Sequence, residues 1–158
     1  MTTATDIDGE FRQGMKQVSE SYGLVCRPVR QDNTLGQSRR TLDIFRETDH
    51  GRHGAWMLYY VIAGQEEDGT WELNPSIIFD LYDCTELSSY DWGIVLLDDS
   101  PDSGYFLSGR HVNLVRQKWP KTDDGNYKVT EKALKTSDPT PFKSLEDLGK
   151  ALDLTPGM

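Results

Sequence analysis

Nine consecutive apolar residues, Ala55-Trp-Met-Leu-Tyr-Tyr-Val-Ile-Ala63, set the strongest limit on what this chain can fold into. A strand with one wet face alternates apolar and polar residues, and this run does not. Its aromatic and β-branched content favours a central strand covered on both faces, with a buried helix as the alternative reading. Such a strand needs sheet neighbours and a layer on each side, and the rest of the sequence has to supply them.

Phe11, Met15, Val18 and Tyr22 recur at spacings of four, three and four, which places them on one stripe of a helix. Asp8 is positioned to cap its start, Ile7 to staple it, and Gly23 to end it in a left-handed conformation. Leu24–Val29 reads as a short strand in which Pro28 marks an edge or an end. Thr41–Glu47 alternates weakly, with Leu42 and Ile44 on one face and Asp43 and Phe45 on the other. The loop 48–54 holds His50, His53 and Arg52.

A hairpin pairing Trp56–Ala63 with Thr70 onward is expected next, then a strand over Ser76–Asp83 and another over Trp92–Leu97. Asp98-Asp-Ser-Pro-Asp-Ser-Gly104 is turn chemistry, and Tyr105–Leu107 returns as a strand. Val112, Leu114 and Trp119 extend the β pattern, Tyr127–Thr130 is a short strand, and Asp138–Phe142 breaks regular structure. Ser144, with Asp147 three residues on, caps a closing helix striped by Leu145, Leu148, Ala151 and Leu152. The expected architecture is one α+β domain over residues 1–158: a mostly antiparallel mixed sheet packed by an N-terminal and a C-terminal helix, with 1–7 and 153–158 as loose ends.

Length supports this, since 158 residues suffice for one core. No apolar run approaches the ~20 residues of a membrane span, and the first residues lack the basic start and apolar core of a signal peptide. The expectation is a cytoplasmic protein without membrane contact, with Cys26 and Cys84 free and buried rather than paired.

Charge is distributed unevenly. Residues 1–60 carry 8 basic and 8 acidic side chains and residues 110–158 carry 9 and 7, whereas 61–109 carry 11 acids and no Lys or Arg. The net charge of −9 resides in that middle stretch. Its apolar runs demand folding, so its acids decorate connections and strand ends. A pI near 4.7 opposes non-specific binding to nucleic acid, which depends on a surplus of cations. The expected partner is a basic protein surface, met by Glu66, Glu67, Asp68, Asp98, Asp99 and Asp102. A small regulator, inhibitor or immunity-type protein, or a mimic of nucleic-acid charge, belongs to this class. The competing reading is that the charge serves solubility alone.

Catalytic signatures are missing. No phosphate-cradling glycine loop with its Lys and no Gly-x-Ser-x-Gly elbow occurs. A calcium loop starting at Asp98 would need Gly sixth and Glu twelfth, where Ser103 and Gly109 stand. His50 and His53 are the metal-ligand candidates, but they lie in a loop and the cysteines do not complete a zinc pattern. No cofactor is called for.

One family resemblance does emerge. A helix bearing Glu10 and Glu20, the strand Leu24–Val29, the strand Thr41–Phe45 with Asp43 at its centre, the apolar strand Ala55–Ala63, and then Trp92–Leu97 with Tyr105–Leu107 resemble the restriction-endonuclease-like nuclease core in element order. The resemblance implies a Mg²⁺-dependent phosphodiesterase centre, because cleavage needs a metal-activated water and neutralised charge at phosphorus. Asp43, with Glu20, would supply its acids. The family's Glu-x-Lys on the third strand has no counterpart: Ala55–Ala63 holds no carboxylate, and no lysine occurs between Lys16 and Lys118. The resemblance therefore implies either a nuclease or an inactive relative of one.

Overall fold

The stripe Phe11, Met15, Val18, Tyr22 folds as the helix α1, Ala4–Ser21, within a computed structural model that describes residues 4–29, 40–63 and 70–154. Phe11 and Met15 are fully buried and Val18 and Tyr22 partly so. Each fully buried side chain of this size contributes about 1.5–3 kcal/mol, which makes the stripe the anchor of the N-terminus. The helix starts earlier than expected. Asp8 and Ile7 lie inside it rather than at its cap, and Ile7 is itself core. At the other end Gly23 adopts φ +74°, while Gly23 N–H donates to the Glu20 carbonyl and Leu24 N–H to that of Ser19, closing the left-handed stop read from the sequence.

Three strands follow: β1 (Val25–Pro28), β2 (Thr41–Thr48) and β3 (Gly51–Ile62), each antiparallel to the one before. The 48–54 loop is shorter than expected, because pairing continues to Thr48↔Gly51 and places His53 in β3 opposite Arg46. The register shifts between Ile44 and Phe45, the signature of a bulge. The described chain resumes with β4 (Trp71–Leu73), which does not pair with β3 as expected; it joins β7 (Tyr127–Val129) in a separate two-stranded sheet.

The largest correction concerns residues 76–83, which are helical: α2 spans Pro75–Thr85. Asn74 caps it through its side chain, accepting from Ser76 N–H, and Pro75 occupies the first turn, where its missing donor costs nothing. Ile78, Leu81 and Thr85 form its buried side. This helix provides the crossover that a parallel pair requires. β5 (Asp91–Leu97) thus runs parallel to β3, and β6 (Gly104–Ser108) turns back antiparallel to β5, the hairpin expected from the Asp98–Gly104 turn.

Val112 and Leu114 lie in a second unanticipated helix, α3 (Gly109–Val115), capped by the Ser108 hydroxyl and followed by a 3₁₀ turn over Arg116–Lys118. Then come α4 (Glu131–Thr136), β8 (Thr140–Phe142) and α5 (Leu145–Ala151). β8 is regular after all and pairs antiparallel with β6. Ser144 caps α5 by accepting from Asp147 N–H at 3.1 Å.

The main sheet has the order β1-β2-β3-β5-β6-β8, so β3 and β5 form its centre, as the unbroken apolar run required. Its edges, β1 and β8, are four and three residues long, and each contains a proline, Pro28 and Pro141. One face packs against α1 and α5 through Phe11, Met15, Leu58, Tyr60, Leu148 and Leu152. The other is covered by α2, α3, α4 and the small sheet around Tyr59, Trp71, Ile78, Leu81, Ile94 and Val112. The result is a single α+β domain with a mixed, mostly antiparallel sheet. Leu154 is buried, extending the order of the C-terminus past α5. No helix among the described residues is long and apolar enough to cross a membrane.

Candidate functional site

Asp43, in the middle of β2, is 6% exposed, and a carboxylate so placed needs partners. It has two. Arg52, in β3 across the hairpin, donates from Nη1 to Oδ2 at 3.0 Å, and the Tyr90 hydroxyl donates to Oδ1 at 2.6 Å. Tyr90 reaches Asp43 because its ring lies over Gly54, where an added Cβ would come within 2.1 Å of the ring. Burial and the bond to Asp43 push the Tyr90 hydroxyl well above the ordinary tyrosine range. Phe45 completes the group, with the guanidinium of Arg52 4.0 Å from its ring centroid and that of Arg27 at 4.9 Å.

Both carboxylate oxygens of Asp43 are therefore engaged within the chain. Glu20 does not join it: Glu20 is exposed in the last turn of α1, on the face where Leu42 and Ile44 point, whereas Asp43 alternates to the opposite face. On β3 the residue paired with Asp43 is Met57, and Tyr59 stands two positions on. His50 is exposed in the turn, its N–H donating to the Thr48 hydroxyl, and His53 is exposed in β3. Among the described residues no three His, Cys, Asp or Glu side chains gather closely enough to hold a metal ion.

Apart from Glu72, which lies on β4 and accepts from the Asn126 side chain, the described acids of the middle stretch separate into two sets. Asp98, Asp99 and Asp102 lie in the β5–β6 turn, at the end of β5 where Leu97 receives Ala63 N–H. Asp98 is half-buried and its carboxyl is raised by burial and by neighbouring Asp99, while Asp99 and Asp102 are exposed. Glu66, Glu67 and Asp68 lie outside the described residues. At the opposite end of β5, α2 delivers Asp80, Asp83 and Glu86, and β5 begins with Asp91. Seven strand residues separate the two sets by ~20 Å.

Among the described residues, the ion pairs Arg12–Asp8, Arg40–Asp8 and Arg52–Asp43 all fall before residue 61. None of Asp80, Asp83, Glu86, Asp91, Asp99 and Asp102 has a cationic partner among the described residues. Their charge is directed to solvent.

A pocket of ≈ 470 Å³ opens between the end of α2, the start of β5 and α3. Trp56, Tyr82, Tyr90 and Trp92 give it aromatic walls, and Glu86, Asp91 and Arg110 are its charged groups. A second hollow of ≈ 420 Å³ adjoins it, shares Trp56 and Asp91, and is bounded by Arg46, His53 and Asp153. Neither was visible in the sequence, since the lining residues come together only through the crossover of α2. The available signal was the spacing of Phe79, Tyr82 and Glu86, which shares a helical face once 75–85 is read as helix. The cysteines differ from expectation in one respect: both are free, but only Cys26 is buried and Cys84 is exposed.

No protein-family model matches this sequence, and no curated protein matches it significantly.

Proposed function

We propose that this chain acts by binding a basic protein surface, as a small acidic regulator or inhibitor. What carries the reading is that Asp80, Asp83, Glu86, Asp91, Asp99 and Asp102 stand without cationic partners among the described residues. Unpaired acids on one part of a surface raise encounter rates with a basic partner and confer salt sensitivity. A surface built for solubility alone would intersperse both signs. The test compares immobilised wild type with a variant carrying Asn or Gln at Asp80, Asp83, Glu86, Asp91, Asp98, Asp99 and Asp102, as baits in a cell extract. Wild type is expected to retain basic proteins that elute in a salt step and the variant to lose them. Identical recoveries would mean that the charge serves solubility.

A second reading is supported by the order helix, three antiparallel strands, the short outlying strand β4, crossover helix and parallel strand, with Asp43 buried on the second strand. The resemblance to the restriction-endonuclease-like core rests on the helix and the strands of this order; the crossover helix stands where a strand was expected. The absence of any carboxylate or lysine from Ala55–Ala63 on β3, the strand beside Asp43, favours an inactive relative. Mg²⁺-dependent DNA cleavage by wild type, abolished by Asp43→Ala, would establish an active nuclease instead.

A further inference from the structure

The charged and aromatic lining of the α2–α3 pocket specifies its occupant more narrowly than net charge does. Four aromatic side chains share the lining with two carboxylates, Glu86 and Asp91, which have no partner among the described residues, and one cation, Arg110. An anionic ligand would meet two like charges against a single Arg110. An apolar one would leave all three charges facing a surface that cannot solvate them. An ammonium or guanidinium finds aromatic side chains and carboxylates together in one lining, the combination that stabilises a desolvated cation. Exposed apolar side chains stand close to the lining along the chain: Leu87 is 99% exposed and Phe79, one helical turn before Tyr82, is 63% exposed. Leu87 and Leu114 each adjoin a lining residue in sequence, Glu86 and Asn113.

We infer that this pocket seats a lysine or arginine side chain of the basic partner, while Phe79, Tyr82 and Leu87 receive apolar residues beside it, so that the partner presents a basic amphipathic segment. The inference rests on the acidic-binder reading above and selects one of the two acidic sets as the working surface. Large exposed apolar side chains rimmed by charge are the ordinary mark of such an interface.

The probe is a fluorescent 14-residue amphipathic helical peptide of lysine and leucine, with the same peptide carrying glutamate for lysine as control. Binding is read by anisotropy at two salt concentrations and by the indole N–H shifts of Trp56 and Trp92. Wild type is expected to bind the lysine peptide only, with shifts at both indoles. Affinity should fall at least tenfold in Glu86→Gln/Asp91→Asn and in Tyr82→Ala, and less than twofold in Asp98→Asn/Asp99→Asn/Asp102→Asn; the altered positions are all solvent-accessible, and circular dichroism checks their folding. The reverse pattern would overturn the pocket while leaving the acidic-binder reading intact. Failure of wild type to bind at low salt, or equal binding of the glutamate peptide, would overturn both.

Discussion

Two cysteines in one small domain experience opposite environments. Burial pushes the Cys26 thiol up to about 12, against a smaller opposing pull from the buried Ser19 hydroxyl. Cys84 is exposed on α2, and partial burial with Asp80 and Asp83 nearby raises its thiol as well. Since the thiolate is the reactive form, a neutral-pH alkylating reagent should modify Cys84 slowly and leave Cys26 untouched until the protein unfolds. Peptide mass spectrometry reads this directly, and modification of Cys26 at the rate of Cys84 would contradict its burial. The same groups make stability depend on alkali. A folded-state value above the unfolded one means that folding favours the protonated form, so the contribution is complete below the unfolded value of 9.0 and disappears as pH rises toward about 12. Tyr60 and Tyr90, also raised, add to the loss above pH 10. Thermal midpoints should hold level from pH 7 to 8.5 and fall steadily above 9; a flat profile to pH 11 would show that these groups are not buried as described.

At the level of elements, what the sequence revealed followed from local periodicity. α1 and the β5–β6 hairpin were legible because a 3.6-residue stripe and a seven-residue turn cluster are complete within one stretch of chain. α2 was not, because Ile77-Ile78-Phe79-Asp80-Leu81 is apolar at a length that suits either period, and Asn74-Pro75, an N-cap and first turn, resembles an interruption when read as strand. The β3–β5 pairing is non-local and parallel, so nothing adjacent announces it. Likewise Asp43 stood out as a mid-strand acid, but Arg52 and Tyr90, nine and 47 positions away, could be assigned only by the fold. The α1 stripe offers the sharpest check at this scale. Met15→Asp should destabilise by several kcal/mol, as expected for a buried unpaired charge, whereas Leu87→Ser, at a fully exposed position, should leave the thermal midpoint within a degree or two. Equal midpoints for the two variants would reject the packing of α1 on the sheet.

For the molecule as a whole, the arrangement of charge makes a statement about nucleic acid. With a net charge of −9, the 17 Lys and Arg are outnumbered by 26 acids, and Arg12, Arg40 and Arg52 are engaged by Asp8 and Asp43, so no net cationic surplus is available to displace counterions. Binding to duplex DNA near physiological salt should be weaker than the roughly 10⁻⁴ to 10⁻⁶ M of basic non-specific binders. A gel-shift titration measures it, and micromolar affinity that collapses with added salt would reverse the assignment.

The prolines at the two edges of the main sheet restrict how any partner can approach. A bare strand edge invites another chain to zip onto it through main-chain hydrogen bonds, a mode that recognises backbone and is nearly indifferent to ionic strength. Here that route is foreshortened on both flanks by strands of four and three residues, each missing a donor at Pro28 or Pro141. The main sheet is thus guarded against fibril-like stacking of its own copies, and a partner that meets it there meets side chains rather than a bare backbone edge.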